Sequence, residues 1–309
     1  MLGRKRSRMA LGAVCAGMVI GLSAVVTPVG GVGAAATGKV VTTGLPAAVS
    51  ASRKAALPMK GKLHGPPGYV MMTSPFLTAP SGTQTNGTVA CPAGTVPLSG
   101  GAQSTSGSLN TNLNSSYPIS TGWSVDVNNE AGFDTIFAVY VICAAAPSKY
   151  KVILSPVTVS TPNNTDFAQA ACPTGTVVYG GGMYSSSGLT SVNINGDNPQ
   201  WAGTSYWWDA EVENLSTTST TFEAYAICGH KLSKYTVVDG TQTDNPPLTQ
   251  TTATAFCPVH TLILGGGMFS YGFDLLNSSF TYSNTGWTAD MNNPWTTDST
   301  FYAEAICAA

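Results

Sequence analysis

The chain has 309 residues, of which 9% are charged and 43% hydrophobic, with 34 glycines and a formal net charge of -2. That hydrophobic content excludes a disordered chain, and the scarcity of helix-forming runs against β-branched residues argues for an all-β protein. From Tyr69 onward there are four lysines, no arginine and all fifteen acids, a local charge of -11, which argues against nucleic acid or an anionic membrane as partner.

Residues 1–36 read as an export signal. Arg4, Lys5, Arg6 and Arg8 form a basic start, Met9 to Val26 an apolar stretch, and Ala34-Ala35-Ala36 a small-residue cleavage site. The apolar stretch is interrupted by Gly12, Gly17 and Gly21, which favours a cleaved signal over a retained span, so the mature chain is expected not to cross a membrane. Residues 37–68 are rich in Ala, Gly, Pro and Thr, have no period, and read as a flexible arm or propeptide.

The remainder is a threefold repeat, with modules expected at 69–146, 147–230 and 231–309. Each copy opens on a tyrosine (Tyr69, Tyr150, Tyr235), reaches a cysteine after a fixed offset (Cys91, Cys172, Cys257), and continues as Pro-x-x-Thr. An apolar run then leads into Ser99-Gly100-Gly101, Gly180-Gly181-Gly182 or Gly265-Gly266-Gly267. Trp123, Trp208 and Trp287 follow, each with an asparagine six residues on (Asn129, Asn214, Asn293). Each copy closes on Phe-x4-Ile-Cys, ending at Cys143, Cys228 and Cys307.

Period-two alternation after each tryptophan predicts a strand with Trp facing a core, as in Trp123-Ser124-Val125-Asp126-Val127. The closing run, the run after the Pro-x-x-Thr turn and the opening tyrosine predict further strands. Four to six strands per copy suggest a small antiparallel sandwich or Greek-key sheet. The glycine triplets predict a bulge or a close backbone approach, since no helix and lysine follow to make a phosphate cradle.

Cys15 falls in the signal. The other six, two per copy, are expected to pair as Cys91–Cys143, Cys172–Cys228 and Cys257–Cys307, each closing a loop of roughly fifty residues and contributing about 4 kcal/mol in the chain-entropy model. No Cys-x-x-Cys or clustered histidine suggests zinc, so neither metal nor cofactor is expected. His64 lies in the arm and His230 at a module boundary; His260 replaces Gly94 and Gly175 and reads as a turn variant.

No catalytic constellation is apparent. One acid recurs per copy (Asp126, Glu211, Asp290), and a glycosidase would need two of them in one cleft. Trp201, Tyr206, Trp207 and Trp295 lie in unlike loops and form the candidate ligand-binding set, because aromatic rings beside Asn and Asp suit sugar stacking. Packing at sandwich ends or between modules is the other reading for them.

The pattern Cys-Pro-x-Gly-Thr, Gly-Gly, Trp-x5-Asn and closing Ile-Cys-Ala resembles repeats in secreted actinobacterial proteins of unassigned role, over residues 69 to 309. It is also similar to the vitelline membrane outer layer family, a three-fold β-prism. The cysteine spacing here is longer and that family's later motif is absent. That second resemblance implies only that three copies could close around an axis. The expectation is a non-enzymatic secreted or surface-associated protein binding cell-wall or extracellular polysaccharide. The alternatives are a structural protein that self-associates through β edges and a hydrolase using the repeated carboxylates.

Overall fold

The computed structural model describes residues 65–309; the segment read as an export signal, with Cys15, and the expected arm as far as His64 lie outside the described residues. Among these residues there is no helix, and each copy forms seven strands. The first copy contributes β1 (Val70–Thr73), β2 (Leu77–Ala79), β3 (Thr83–Ala90), β4 (Val96–Ser104), β5 (Thr111–Ile119), β6 (Gly122–Asn129) and β7 (Thr135–Ala144). The second contributes β8 (Lys151–Leu154), β9 (Thr158–Ser160), β10 (Asn164–Ala171), β11 (Val177–Ser185), β12 (Val192–Ala202), β13 (Ser205–Asn214) and β14 (Thr220–Gly229). The third contributes β15 (Thr236–Asp239), β16 (Thr243–Asn245), β17 (Thr249–Phe256), β18 (Leu262–Ser270), β19 (Leu275–Ser283), β20 (Gly286–Asn293) and β21 (Ser299–Ala308).

These strands make three antiparallel, seven-stranded walls, and every copy divides itself between two of them. The first wall runs β1-β7-β4-β19-β20-β17, with β2 also on β7, and so joins copies one and three. The second runs β3-β6-β5-β11-β14-β8, with β9 on β14, joining copies one and two. The third runs β10-β13-β12-β18-β21-β15, with β16 on β21, joining copies two and three. The two layers of each copy pack face to face as a sandwich, and each layer continues edgewise into a neighbouring copy. The three copies therefore close around an axis.

The motif offsets now have physical causes. Trp123, Trp208 and Trp287 fill the three sandwich cores, all essentially buried. The asparagine six residues on ties two loops together. Asn129 Nδ2 donates to Ala79 O at 2.8 Å and Phe133 O at 3.0 Å, while its Oδ1 accepts from Ala131 N. Asn214 and Asn293 repeat this arrangement. The opening tyrosines brace the ring between copies: Tyr69 Oη donates to Ile263 O (2.7 Å), Tyr150 Oη to Pro97 O (2.8 Å) and Tyr235 Oη to Val178 O (2.6 Å).

A second ring, invisible in the repeat motif, uses bulged asparagines of β5, β12 and β19. Asn114 Nδ2 donates to Val192 O (2.7 Å), Asn195 to Asp274 O (2.6 Å) and Asn277 to Thr111 O (2.7 Å). In each strand the register slips at that asparagine, which frees its side chain to leave the pleat and reach the next copy.

The glycine triplets hold both of the expected features. Register shifts fall just before them, between Pro97 and Ser99, Val178 and Gly180, and Ile263 and Gly265. The first triplet position lies at the axis, where a Cβ on Gly180 or Gly265 would come within 2.5 and 2.6 Å of the Ser99 Cβ. The axis thus has room for one side chain, that of Ser99. The third position sits at the seam between copies. A Cβ there would lie 1.9 Å from Ser279 O at Gly101, 2.0 Å from Ser116 O at Gly182 and 2.1 Å from Asp197 O at Gly267.

All three disulfides are formed as expected, with Cα–Cα distances of 5.8, 5.6 and 5.6 Å. Each links the end of an edge strand in one wall to the closing strand in the next, stapling the two layers of one sandwich.

Candidate functional site

The four aromatic candidates occupy two separate places. The β12–β13 hairpin is two residues longer per strand than its counterparts β5–β6 and β19–β20; the extension carries Trp201 and Tyr206, and Trp207 stands where the other copies have Gly122 and Gly286. Trp201 and Tyr206 are cross-strand partners beside a turn in which Gly203 takes φ +60°. Trp201 is 42% exposed. Tyr206 is half-buried and meets Tyr235 edge-on at 5.8 Å. Trp207 points to the other face opposite Gln200, half-buried, with its indole N–H inside the protein and unbonded.

Trp295 is elsewhere. Its Nε1 donates to Phe273 O at 2.8 Å, and Asn195 of β12 donates to Gly272 O on the same loop. Trp201 lies six residues further along β12 than Asn195, roughly 20 Å away at strand rise. Trp295 therefore clamps a loop at the opposite end of the wall. Beside that loop is a shallow cleft of about 540 Å³, lined by Asp244, Pro246, Tyr271, Asp298 and Thr300 among others. Below it Asp274 is buried, with its carboxyl accepting from Ser299 Oγ at 2.7 Å; burial pushes its pKa up, against the pull of its hydrogen bonds.

The repeated acids are dispersed. Asp126 is in the second wall, where it accepts from Asn86 Nδ2 at 2.8 Å. Asp290 is in the first, where it accepts from Thr252 Oγ1 at 2.6 Å and burial raises its pKa. Glu211 is buried in the third. No two of them share a wall, so the cleft that glycoside hydrolysis requires is not formed by these residues. Among the described residues no group of three His, Cys, Asp or Glu side chains is placed to hold a metal ion. His260 has φ +66°, matching Gly94 (+81°) and Gly175 (+77°), so it occupies a left-handed turn position that its sister copies fill with glycine.

Two features were missed by the linear pattern. The first is Asp197, which stands where copies one and three have Ser116 and Ser279. Those serines accept from the core tryptophans Trp123 and Trp287, each at 2.9 Å, and Asp197 does the same for Trp208. Asp197 is 4% exposed, and burial raises its pKa well above the ordinary carboxylate value while the Trp208 bond opposes that rise. The substitution of Ser by Asp at one of three equivalent positions was the available signal.

The second is a tyrosine cluster on the outward face of the second wall. Tyr117 on β5 meets Tyr184 on β11 edge-on at 5.1 Å and Tyr225 on β14 at 5.7 Å. Gly182 lies between Tyr117 and Tyr225 and leaves their rings free to approach. All three rings are partly exposed. Burial raises the pKa of Tyr117 and Tyr225, with further contributions from Asp126 and Glu223 respectively. The equivalent places in the first wall hold Phe280, Gln103 and Tyr140, where Tyr140 Oη bonds Gln103 Oε1. In the third wall they hold Asn198, Phe269 and Glu304, where Asn198 Nδ2 donates to Glu304 Oε2 at 2.8 Å. The seam thus has a different chemistry in each wall. The cluster draws on two copies, so it is not visible within either one.

No family model matches the chain, and no curated protein is similar to it at a significant level.

Proposed function

We propose that this is a non-enzymatic extracellular protein that binds polysaccharide, using side chains that differ among three otherwise equivalent copies. The observation that carries this reading is the extended β12–β13 hairpin, which holds Trp201 42% exposed beside its cross-strand partner Tyr206 on a disulfide-stapled scaffold. An exposed indole with a phenol hydroxyl nearby can stack on a sugar ring and bond its hydroxyls. The export signal read in the first residues and three disulfides suit an oxidising compartment outside the cytosol. No helix of the described residues is long and apolar enough to cross a membrane.

The test is retention of the full chain on cell-wall and exopolysaccharide preparations, compared with Trp201→Ala and Trp207→Ala. Retention lost in Trp201→Ala supports the reading, and no retention on any preparation refutes it. A second reading, self-assembly through sheet edges, is favoured by β10 and β17. Both are edge strands of their walls and carry Phe167 and Phe256, 60% and 63% exposed. Sedimentation giving a single monomeric species across concentration would count against it.

A further inference from the structure

We propose that the outward face of the second wall binds a cationic amino-sugar polymer, with tyrosines stacking on the sugar rings and carboxylates pairing with the ammonium groups. This rests on the polysaccharide reading but places the ligand away from the β12–β13 hairpin.

The face is laid out in rows across the strands. One row runs Thr88, Ser124, Tyr117, Gly182, Tyr225 and Leu154. Gly182 has no side chain, so the rings of Tyr117 and Tyr225 meet over it with centroids 5.7 Å apart, nearly the interval between successive rings of a sugar polymer. Tyr117, Tyr225 and Leu154, the last 47% exposed, supply an apolar floor along that line.

The adjacent row supplies charge. Asp126 on β6 lies opposite Asn86, and Glu223 on β14 lies opposite Tyr184. Both carboxylates flank the tyrosines, close enough to contribute to the pKa of Tyr117 and Tyr225. Lys151, the one cation in this wall's strands, sits at the start of β8, three residues before Leu154. Two acids beside three aromatic faces, with no neutralising base among them, suit a ligand that is ring-shaped, hydroxylated and positively charged. Ammonium over a tyrosine face is attractive in its own right. The other walls keep one acid at the place of Asp126, namely Asp290 and Glu211, but carry Ala138 and Tyr302 in place of Glu223 and lack the tyrosine trio. The cluster is therefore not required by the fold.

The experiment measures binding of the full, disulfide-intact chain to partially deacetylated chitosan oligosaccharides at about pH 5.5, where the amino sugar is protonated. Fully acetylated chitin and cellulose fragments serve as neutral comparisons. The expected result is affinity for the deacetylated oligomer that falls with salt, and binding of the neutral polymers at least about tenfold weaker. Tyr117→Ala and Glu223→Gln should each reduce affinity several-fold, with Tyr117→Phe retaining most of it because the ring remains. Asp239→Asn, an exposed acid of the third wall, should leave binding unchanged.

Equal affinity for acetylated and deacetylated oligomers overturns the proposal, and so does an equal loss in Asp239→Asn, which would mean general charge attraction. Binding that survives Tyr117→Ala and Glu223→Gln but is lost in Trp201→Ala overturns it while leaving the hairpin reading standing. Retention on none of these polymers, nor on the wall preparations, removes both.

Discussion

Replacing Asp197 by serine should make the protein more stable at neutral pH, by an amount that disappears in acid. Copies one and three already carry serine at this place, so the structure supplies its own template: Ser116 and Ser279 accept the indole N–H at 2.9 Å. Asp197→Ser keeps that acceptor and removes a buried carboxyl whose folded pKa is raised by burial. Below the unfolded pKa, near 3.9, the carboxyl is protonated in both states and its stabilising bond is fully present. As pH rises the unfolded chain ionises first, and stability is lost progressively until the folded pKa is passed. Each unit of upward shift corresponds to about 1.4 kcal/mol lost at pH 7. The wild-type and Asp197→Ser stabilities should therefore diverge from about pH 4 upward and level off above the folded pKa. Urea denaturation at half-unit intervals from pH 3 to 8, followed by tryptophan fluorescence, measures the difference directly. A difference that does not change with pH, or a variant less stable at pH 7, would refute the reasoning.

Three further outcomes follow from geometry. Leu248 and His260 hold φ of +57° and +66° where copy one has Gly82 and Gly94, so Leu248→Gly and His260→Gly should each stabilise by about 1 kcal/mol in thermal melts. Gly182→Ala would force a Cβ to 2.0 Å from Ser116 O, and should lower stability by about 3 kcal/mol or more, with protease cutting near the β5–β11 seam. A fragment spanning 69–146 should give no cooperative unfolding transition, because β4 and β5 have lost the strands of copies three and two that they pair with.

What could be read in the linear chain was whatever repeats and whatever alternates. The cysteine pairs, the core tryptophans and the strands after them follow from fixed offsets and period two. The strand β5 and its counterparts did not, because Thr111–Ile119 buries Asn114, Ser115 and Ser116 and so lacks an apolar face. Its polarity serves the seam: Asn114 bonds the next copy, and Ser116 bonds Trp123. Division of each copy between two walls is also hidden, since only one bridging pair per seam, such as Ala102 with Ser279, joins copies in register. For the candidate sites the loss was greater. Trp295 and Trp201 look alike as loop aromatics, and only strand direction sets them at opposite ends of a wall. Tyr117, Tyr184 and Tyr225 are up to 108 residues apart and become neighbours only when copies one and two share a sheet.

The pairing of β4 with β19 has a consequence for how the chain is made. Ala102 meets Ser279 only after the third copy has been synthesised, so the first wall stays half-built while the first two copies wait. A chain emerging from its N-terminus exposes the open flank of β4 throughout that interval, and closure of so long a loop is slow. Closure of the ring is thereby deferred to the end of synthesis, because the first and third walls both need strands of the third copy while the second wall needs only the first two.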